Sequence, residues 1–307
     1  MSKYRAILIA GPTASGKSQL ALDIAEKVDG VIVNADSMQV YEDLEVLTAR
    51  PAAKDLNSAP HALYGFIPGH MPYSAGQFAQ DAEKVIAECV EEGKLPILVG
   101  GTGLYFRALL EGLSPIPQIP RTVRQHWRAE ALRLPPEQLH AILSTKDHVM
   151  AERLHPTDTQ RLVRALEVID ATGQSLADWQ RIPGVPVIPS SATVKIVIDM
   201  PREELYRRSD ARFDQMLAAG AIEEVIALSK KKYDPSLPIM RALGVQPLLA
   251  HIRGDIELAA AVEATKTETR NYIKRQTTWL NGNMMSWKWI SPQQLESLTD
   301  NILPIMH

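Results

Sequence analysis

Residues 7–20 read ILIAGPTASGKSQL, and within them Gly11-Pro12-Thr13-Ala14-Ser15-Gly16-Lys17-Ser18 fits the phosphate-loop pattern G-x-x-x-x-G-K-[ST]. The apolar run Ala6–Ala10 before it predicts a buried strand, and Ser18–Lys27 after it predicts a helix. Strand, loop and helix in that order suit anion binding. The glycines let backbone N–H groups converge, the helix start adds partial positive charge, Lys17 adds a full one, and Ser18 offers a hydroxyl to Mg²⁺. The pattern specifies that a phosphate is held and leaves open which one.

Composition narrows the setting. A chain of 307 residues, 45% hydrophobic and 22% charged, is long enough for a large core and a second lobe. A formal net charge of −3 excludes a strongly basic nucleic-acid protein while permitting local basic patches. The single cysteine, Cys89, allows neither an intramolecular disulfide nor a cysteine zinc cluster, and reads as a small residue on a helix face. No apolar run approaches ~18 residues, so neither a membrane span nor a cleaved signal is expected, and a cytoplasmic location is.

Short apolar runs at Ala6–Ala10, Val31–Val33, Pro96–Val99 and Lys195–Ile198 predict parallel strands, with a further one at Trp287–Ile290. Residues 75–92 place Phe78, Ala82, Val85, Ile86 and Val90 on one predicted helix face, with Gly93 as the stop. Two proline-rich stretches, GLSPIPQIP (112–120) and IPGVPVIP (182–189), bracket residues of helical character, including 121–134 and 158–171. After them, 203–219, 221–230 and 257–280 also read as helices. The expected architecture is α/β: a P-loop NTPase-like parallel sheet flanked by helices, residues 1–111 and 194–307, carrying an inserted all-helical domain, residues 112–193.

The carboxyl ends of strands in such sheets face the ligand crevice. The second strand ends in Asn34-Ala35-Asp36-Ser37-Met38-Gln39-Val40-Tyr41, which brings Asp36 near the phosphate loop. From spacing alone Asp36 reads equally as a structural group, a helix cap or an indirect magnesium ligand, and as a general base. The third strand runs into Gly100-Gly101-Thr102-Gly103-Leu104-Tyr105, which by itself is a tight turn bearing one hydroxyl. Asp199, ending the fourth strand, precedes Pro201 and reads as part of a turn and helix start.

Taken in order, the phosphate loop, DSMQVY, GGTGLY and His155-Pro-Thr-Asp158-Thr-Gln160-Arg161-Leu162-Val163-Arg164-Ala-Leu-Glu167 resemble the bacterial tRNA dimethylallyltransferase family. The resemblance continues through Arg212-Phe213, Arg241-Ala-Leu-Gly244 and Thr269-Arg270-Asn-Tyr272-Ile-Lys274-Arg275-Gln276-Thr-Thr-Trp279, and so covers nearly the whole chain. It implies that the loop Gly11–Ser18 holds the diphosphate of dimethylallyl diphosphate, with Mg²⁺ on Ser18 as the cofactor. The implied reaction moves the prenyl group to the exocyclic amine of the adenosine just 3′ of the anticodon.

On that resemblance Lys17, Arg212, Thr102 and Asp36 are the catalytic set, Asp36 accepting the amine proton late and Thr102 positioning the amine. The tRNA anticodon stem-loop would meet Asp36, Ser37, Met38, Gln39, Thr102, Arg124, Gln160, Arg161, Leu162, Val163 and Arg164. The chain is expected to act as a monomer without a membrane partner. Lys266, Arg270 and Lys274 recur every four residues and predict a basic helical stripe. The sequence departs from the resemblance at Gly103, where many family members carry Met, and at Gly244-Val-Gln-Pro247. An adenylate isopentenyltransferase, a small-molecule kinase and a noncatalytic RNA-binding nucleotide switch are the competing readings. The helical insertion disfavours the first of these, because a free nucleotide needs no such lobe.

Overall fold

Ala6, Leu8 and Ala10 of β1 (Ala6–Ala10) pack into one apolar cluster and Ile7 and Ile9 into another, and all five are fully buried. Burial on both faces explains why this strand reads as a continuous hydrophobic run, the signature of a parallel sheet covered on two sides. In the computed structural model, which describes residues 5–294, β1 lies inside a six-stranded parallel sheet. The remaining strands are β2 (Gly30–Asn34), β3 (His61–Ala62), β4 (Leu95–Gly100), β5 (Thr193–Ile198) and β6 (Lys288–Ile290), in the order β3-β2-β4-β1-β5-β6. Residues 1–4 and 295–307, which the sequence reading assigns to the core, lie outside the described residues. Strand β3 was not expected: two residues are too few for any alternation to register.

Four helices punctuate the first strands: α1 (Lys17–Val28), α2 (Ala53–Ser58), α3 (Ala75–Glu91) and α4 (Gly103–Leu110). The start of α3 is set by a capping box in which Ser74 Oγ accepts from Gln77 N–H and Gln77 Oε1 accepts from Ser74 N–H. Its buried face is Phe78, Ala82, Ile86 and Cys89. Val90, expected on that face, is 54% exposed. From Phe78, steps of four, four and three residues follow the helical pitch to Cys89, and Val90 falls one position past the stripe.

The chain divides into two compact units, one built on the sheet and one comprising Glu111–Pro186. The second unit holds α5 (Arg121–Arg133), α6 (Pro136–Lys146), α7 (His148–Arg153), α8 (Thr159–Thr172) and α9 (Leu176–Trp179) around its own core of Trp127, Leu139, Leu143, Leu162 and Leu166. Asp158 caps α8 by accepting from Arg161 N–H, and Gly173 ends it with φ 67°. The return boundary falls after Pro186, earlier than the proline-rich stretch suggested. Val187 and Ile188 N–H both donate to Leu109 O, which ties them to the sheet unit. That unit finishes with α10 (Arg202–Ala218), α11 (Ala221–Lys230), α12 (Val245–Ile252) and the long α13 (Leu258–Asn283).

The end of β4 approaches the end of β2 so closely that a Cβ on Gly100 would lie 2.1 Å from Ala35 O. Ala35 N–H donates to Val99 O at 2.8 Å in the same place, so neither backbone is free to retreat. Replacing Gly100 by Ala should therefore destabilise the fold by about 1–3 kcal/mol through overpacking. Urea unfolding checks this, and an unchanged midpoint would contradict the contact.

Candidate active site

The phosphate loop begins where β1 ends. Ser15 N–H donates to Pro12 O at 3.2 Å, and Ala14 (φ 67°) and Gly16 (φ 89°) both take left-handed backbones. Gly16 does so without steric cost, whereas Ala14 carries strain of about 1–2 kcal/mol that the surrounding loop must hold in place. At Gly11 space is the constraint, since a Cβ there would sit 2.7 Å from Ser15 Oγ. Ser15 Oγ is itself buried without a hydrogen-bond partner. An unsatisfied donor in the curl of this loop suits a site built to receive acceptor oxygens.

Cationic charge converges on the same place. Lys17 Nζ donates to Pro12 O at 3.2 Å, and burial pulls its pKa down to about 8 against the opposing attraction of Asp36, with Arg212 adding repulsion. Arg212, on α10, is also lowered by burial and supported by Asp36. Tyr64, Tyr105 and Tyr272 are all raised, chiefly by burial and then by the Asp36 charge. The Asp36 carboxylate is therefore electrostatically adjacent to both cations and to three phenols that stay neutral.

Asp36 is held firmly. Fully buried Asn34 donates from Nδ2 to Asp36 O (2.9 Å) and Leu63 O (3.0 Å), while its Oδ1 accepts from Asp36 N–H (2.8 Å). Asp36 Oδ1 accepts from Met38 N–H at 2.9 Å, closing an Asx turn. Thr102 Oγ1 accepts from Ser37 N–H at 3.0 Å and lies 3.3 Å from Ser37 Oγ, and Thr102 N–H donates to Ala35 O at 3.3 Å. The loop after β4 thus braces the loop after β2. Gln39 is engaged from Nε2 with Thr48 O and Ala49 O, both at 2.9 Å.

These loops open onto a cavity of about 280 Å³. Thr13, Asp36, Ser37, Arg212, Arg241 and Arg275 supply its polar lining, and Met38, Leu47, Phe213, Met216 and Leu243 its apolar lining. The wall at Leu47 is fixed from outside the cavity: one Glu224 carboxylate accepts from three successive N–H groups, those of Glu45, Val46 and Leu47, at 2.5–2.9 Å. Such a chamber can hold a polyanion at one set of groups, a small hydrocarbon against another, and a carboxylate beside both.

The predicted Lys17, Asp36, Ser37, Thr102 and Arg212 are thus brought together, along with Thr13 and Met38. The structure adds Asn34 and Gln276, to which the sequence reading gave no role. Gln276 bonds Thr13 N–H and Gly101 O at once, and its sequence signals are its place in the run 269–279 and a polar residue on the face of α13 that also carries buried Ile273 and Leu280. Gly103 is explained as well: the Trp279 ring covers it, and a Cβ there would lie 2.2 Å from ring carbons.

The predicted tRNA segment lies on α8 of the helical unit. Gln160 and Arg161 are exposed, Arg161 pairing loosely with Asp158 (3.2 Å, side chain 75% exposed). Val163 and Arg164 are half-buried, and Arg164 pairs with buried Glu167 at 3.4 Å, to which Arg128 also comes within 3.8 Å. Leu162 is a correction: it is fully buried in the helical core, since an RNA-facing side chain cannot occupy the apolar stripe of the same helix. Arg124 is half-buried on α5. The basic stripe of α13 is also corrected, because Lys266 pairs with Asp214 and Arg270 with Asp210 and Glu263, leaving exposed Lys274. Two of the three cations secure α13 against neighbouring acids, mainly those of α10.

A phosphate loop joined to a carboxylate-bearing crevice defines a class of enzyme that acts on a phosphorylated substrate, and comparison with known proteins supplies the family. The family model described as IPP transferase matches residues 39–283, and one described as Isopentenyl transferase matches residues 4–64. The chain belongs to the IPP transferase family. It is 47% identical to the tRNA dimethylallyltransferase of Nitrobacter hamburgensis over 97% of this chain and 94% of that protein. It is 50% identical to the enzyme of the same name from Parvibaculum lavamentivorans, over 97% and 95%. Among solved structures, the full-length tRNA isopentenylpyrophosphate transferase of Bacillus halodurans matches with a TM-score of 0.69 at 29% identity, covering 98% of this chain and 96% of that one. A eukaryotic dimethylallyltransferase acting on tRNA matches with a TM-score of 0.77 at 27% identity, covering 93% and 73%. Among the described residues, no helix is long and apolar enough to cross a membrane.

The depressed Lys17 pKa gives a signed prediction. With a folded pKa near 8 against an ordinary 10.5, the unfolded state binds more protons between those values, so Lys17 costs stability fully below about pH 8 and progressively less toward pH 10.5. Lys17→Met should raise the Tm of the ligand-free protein at pH 7, and the gain should shrink as pH rises to 10. A gain that grows with pH would reverse the assignment.

Proposed function

We propose that this chain transfers the dimethylallyl group of dimethylallyl diphosphate to the exocyclic amine of the adenosine immediately 3′ of the anticodon of tRNA, releasing diphosphate. The observation that carries this reading is that Asp36 and Arg212 line one partly apolar cavity and both act electrostatically on Lys17 of the phosphate loop, in a chain about half identical to proteins named for this reaction. The loop N–H groups, Lys17 and Arg212 bind the diphosphate and stabilise negative charge as the allylic carbon–oxygen bond breaks. The adenine nitrogen then forms the new bond to carbon, and its proton, acidified by that bond, passes to the Asp36 carboxylate. Ser37 and Thr102, bonded to one another, sit where they can orient the amine.

The donor set fits a magnesium ion carried in by the diphosphate. Ser18 lies exposed at the start of α1, Mg²⁺ commonly takes one or two protein oxygens with phosphate and water supplying the rest, and no group of three or more His, Cys, Asp or Glu forms a cage among the described residues. When bound, the ion neutralises charge on the leaving diphosphate. The target base must leave the anticodon-loop stack, at a cost of a few kcal/mol. Gln160, Arg161 and Arg164 of α8, with Arg124 of α5, supply contacts to the tRNA, a substrate consistent with a cytoplasmic location.

Mass spectrometry of tRNA incubated with isotopically labelled dimethylallyl diphosphate should show label on that adenosine. Label appearing on free adenine nucleotides and absent from tRNA would favour an adenylate isopentenyltransferase. Asp36→Asn should lower the single-turnover rate about 10²–10⁴-fold with little change in tRNA or donor affinity. A near-normal rate at saturating substrates would remove Asp36 from the proton transfer. If Arg161 exchanges its exposed partner for a tRNA phosphate, Arg161→Ala should reduce the slope of log affinity against log salt by about one. An unchanged slope would return it to the solvated surface.

A further inference from the structure

One buried side chain joins the two halves of the site. Gln276 Oε1 accepts from Thr13 N–H at 2.9 Å, and Gln276 Nε2 donates to Gly101 O at 3.1 Å. The residue is 5% exposed, and Gly101 has no room for a Cβ, which would lie 2.1 Å from Gln276 Nε2. Immediately beyond Gly101, Thr102 bonds Ala35 O and Ser37 N–H, the residues on either side of Asp36. A path of direct bonds therefore runs from the phosphate loop through α13 to the loop that bears the carboxylate.

We propose that Gln276 is a positioning residue that sets the separation between the diphosphate loop and the Asp36 loop, so that leaving group and proton acceptor are held in one geometry. The inference rests on the transfer reaction proposed above. Its chemistry is specific to an amide of this length. Thr13 offers a donor and Gly101 an acceptor, and only a side chain carrying both kinds of atom on one planar end satisfies the two together. Met matches the length and satisfies neither. Asn keeps the amide and is one methylene too short to reach both. Thr13 N–H, held by Gln276, is aimed at the amide oxygen, so the contribution of Gln276 to diphosphate binding itself is small and its effect falls on alignment.

A displacement of about 1 Å between reacting groups can cost about 100-fold in rate. Gln276→Met and Gln276→Asn should each lower the single-turnover rate at saturating donor and tRNA by about 10–100-fold. Half-saturation for donor and for tRNA should stay within about threefold of wild type. A folded variant whose saturated rate lies within about twofold of wild type overturns the proposal, whatever its Tm. So does a variant whose whole deficit appears as a raised donor half-saturation and vanishes at saturation. Gln276→Asn, which retains polarity at the buried site, decides the matter if Gln276→Met does not fold. Wild-type enzyme run alongside separates the two levels of failure: no transfer by wild type removes the proposed reaction and this inference with it, whereas normal transfer by both wild type and the variants removes this inference alone.

Discussion

Two cations, Lys17 and Arg212, are both lowered by burial, and Asp36 is the counter-charge that opposes the shift in each. Burial lowers Lys17 against the attraction of Asp36, with Arg212 adding repulsion, so further negative charge brought close to the pair would be stabilised. A compact carboxylate among two cations cannot tolerate much displacement, and much of the surrounding structure serves to prevent it. Asn34 grips the Asp36 backbone from both sides, Met38 N–H closes the turn onto its carboxylate, and Thr102 holds Ser37 next door.

The same demand for fixity recurs further out. The loop that supplies Leu47 to the cavity wall is anchored by Glu224 through three N–H groups, and Asp43 within it bonds Lys231, Tyr233 and Gly69 N–H. These charge-assisted bonds connect a segment without regular secondary structure to α11 and the turn that follows it. Helix α13 acts from the other side: Lys266 and Arg270 pair with acids on α10, which carries Arg212, while Gln276 reaches the phosphate loop. Catalysis by electrostatic stabilisation requires charges already in place before the reaction, and this is the arrangement such a mechanism needs.

The helical unit shows how a surface helix divides its residues between core and solvent. On α8 the stripe of Leu162, Ala165, Leu166 and Val168 builds the core, and the same helix leaves Gln160 and Arg161 exposed. Arg164 lies between these extremes, its guanidinium occupied by the buried Glu167. Its ion pair therefore ties it to the core of its own unit, whereas Arg161 pairs with Asp158 at an exposed position, an interaction of small energetic value.

Sequence by itself determined the sheet strands longer than two residues, the glycine-lysine loop after the first strand, the helical insertion and most of the side chains that the strand ends bring together, because each rests on local pattern. Buried parallel strands are runs of apolar residues, an anion loop needs glycine and lysine at fixed spacing, and residues at strand ends share one crevice. Tertiary structure alone decided the partners. Val90 and Cys89 exchange places on α3 because helical phase, not hydrophobicity, selects the buried residue. Leu162 turns inward, and Lys266 and Arg270 are claimed by acids more than fifty residues away. Gln276 meets Thr13 across 263 residues of chain and Gly101 across 175. A hydrogen bond between residues so far apart leaves no periodicity in either segment, so only the folded chain reveals which buried amide joins the two loops of the site.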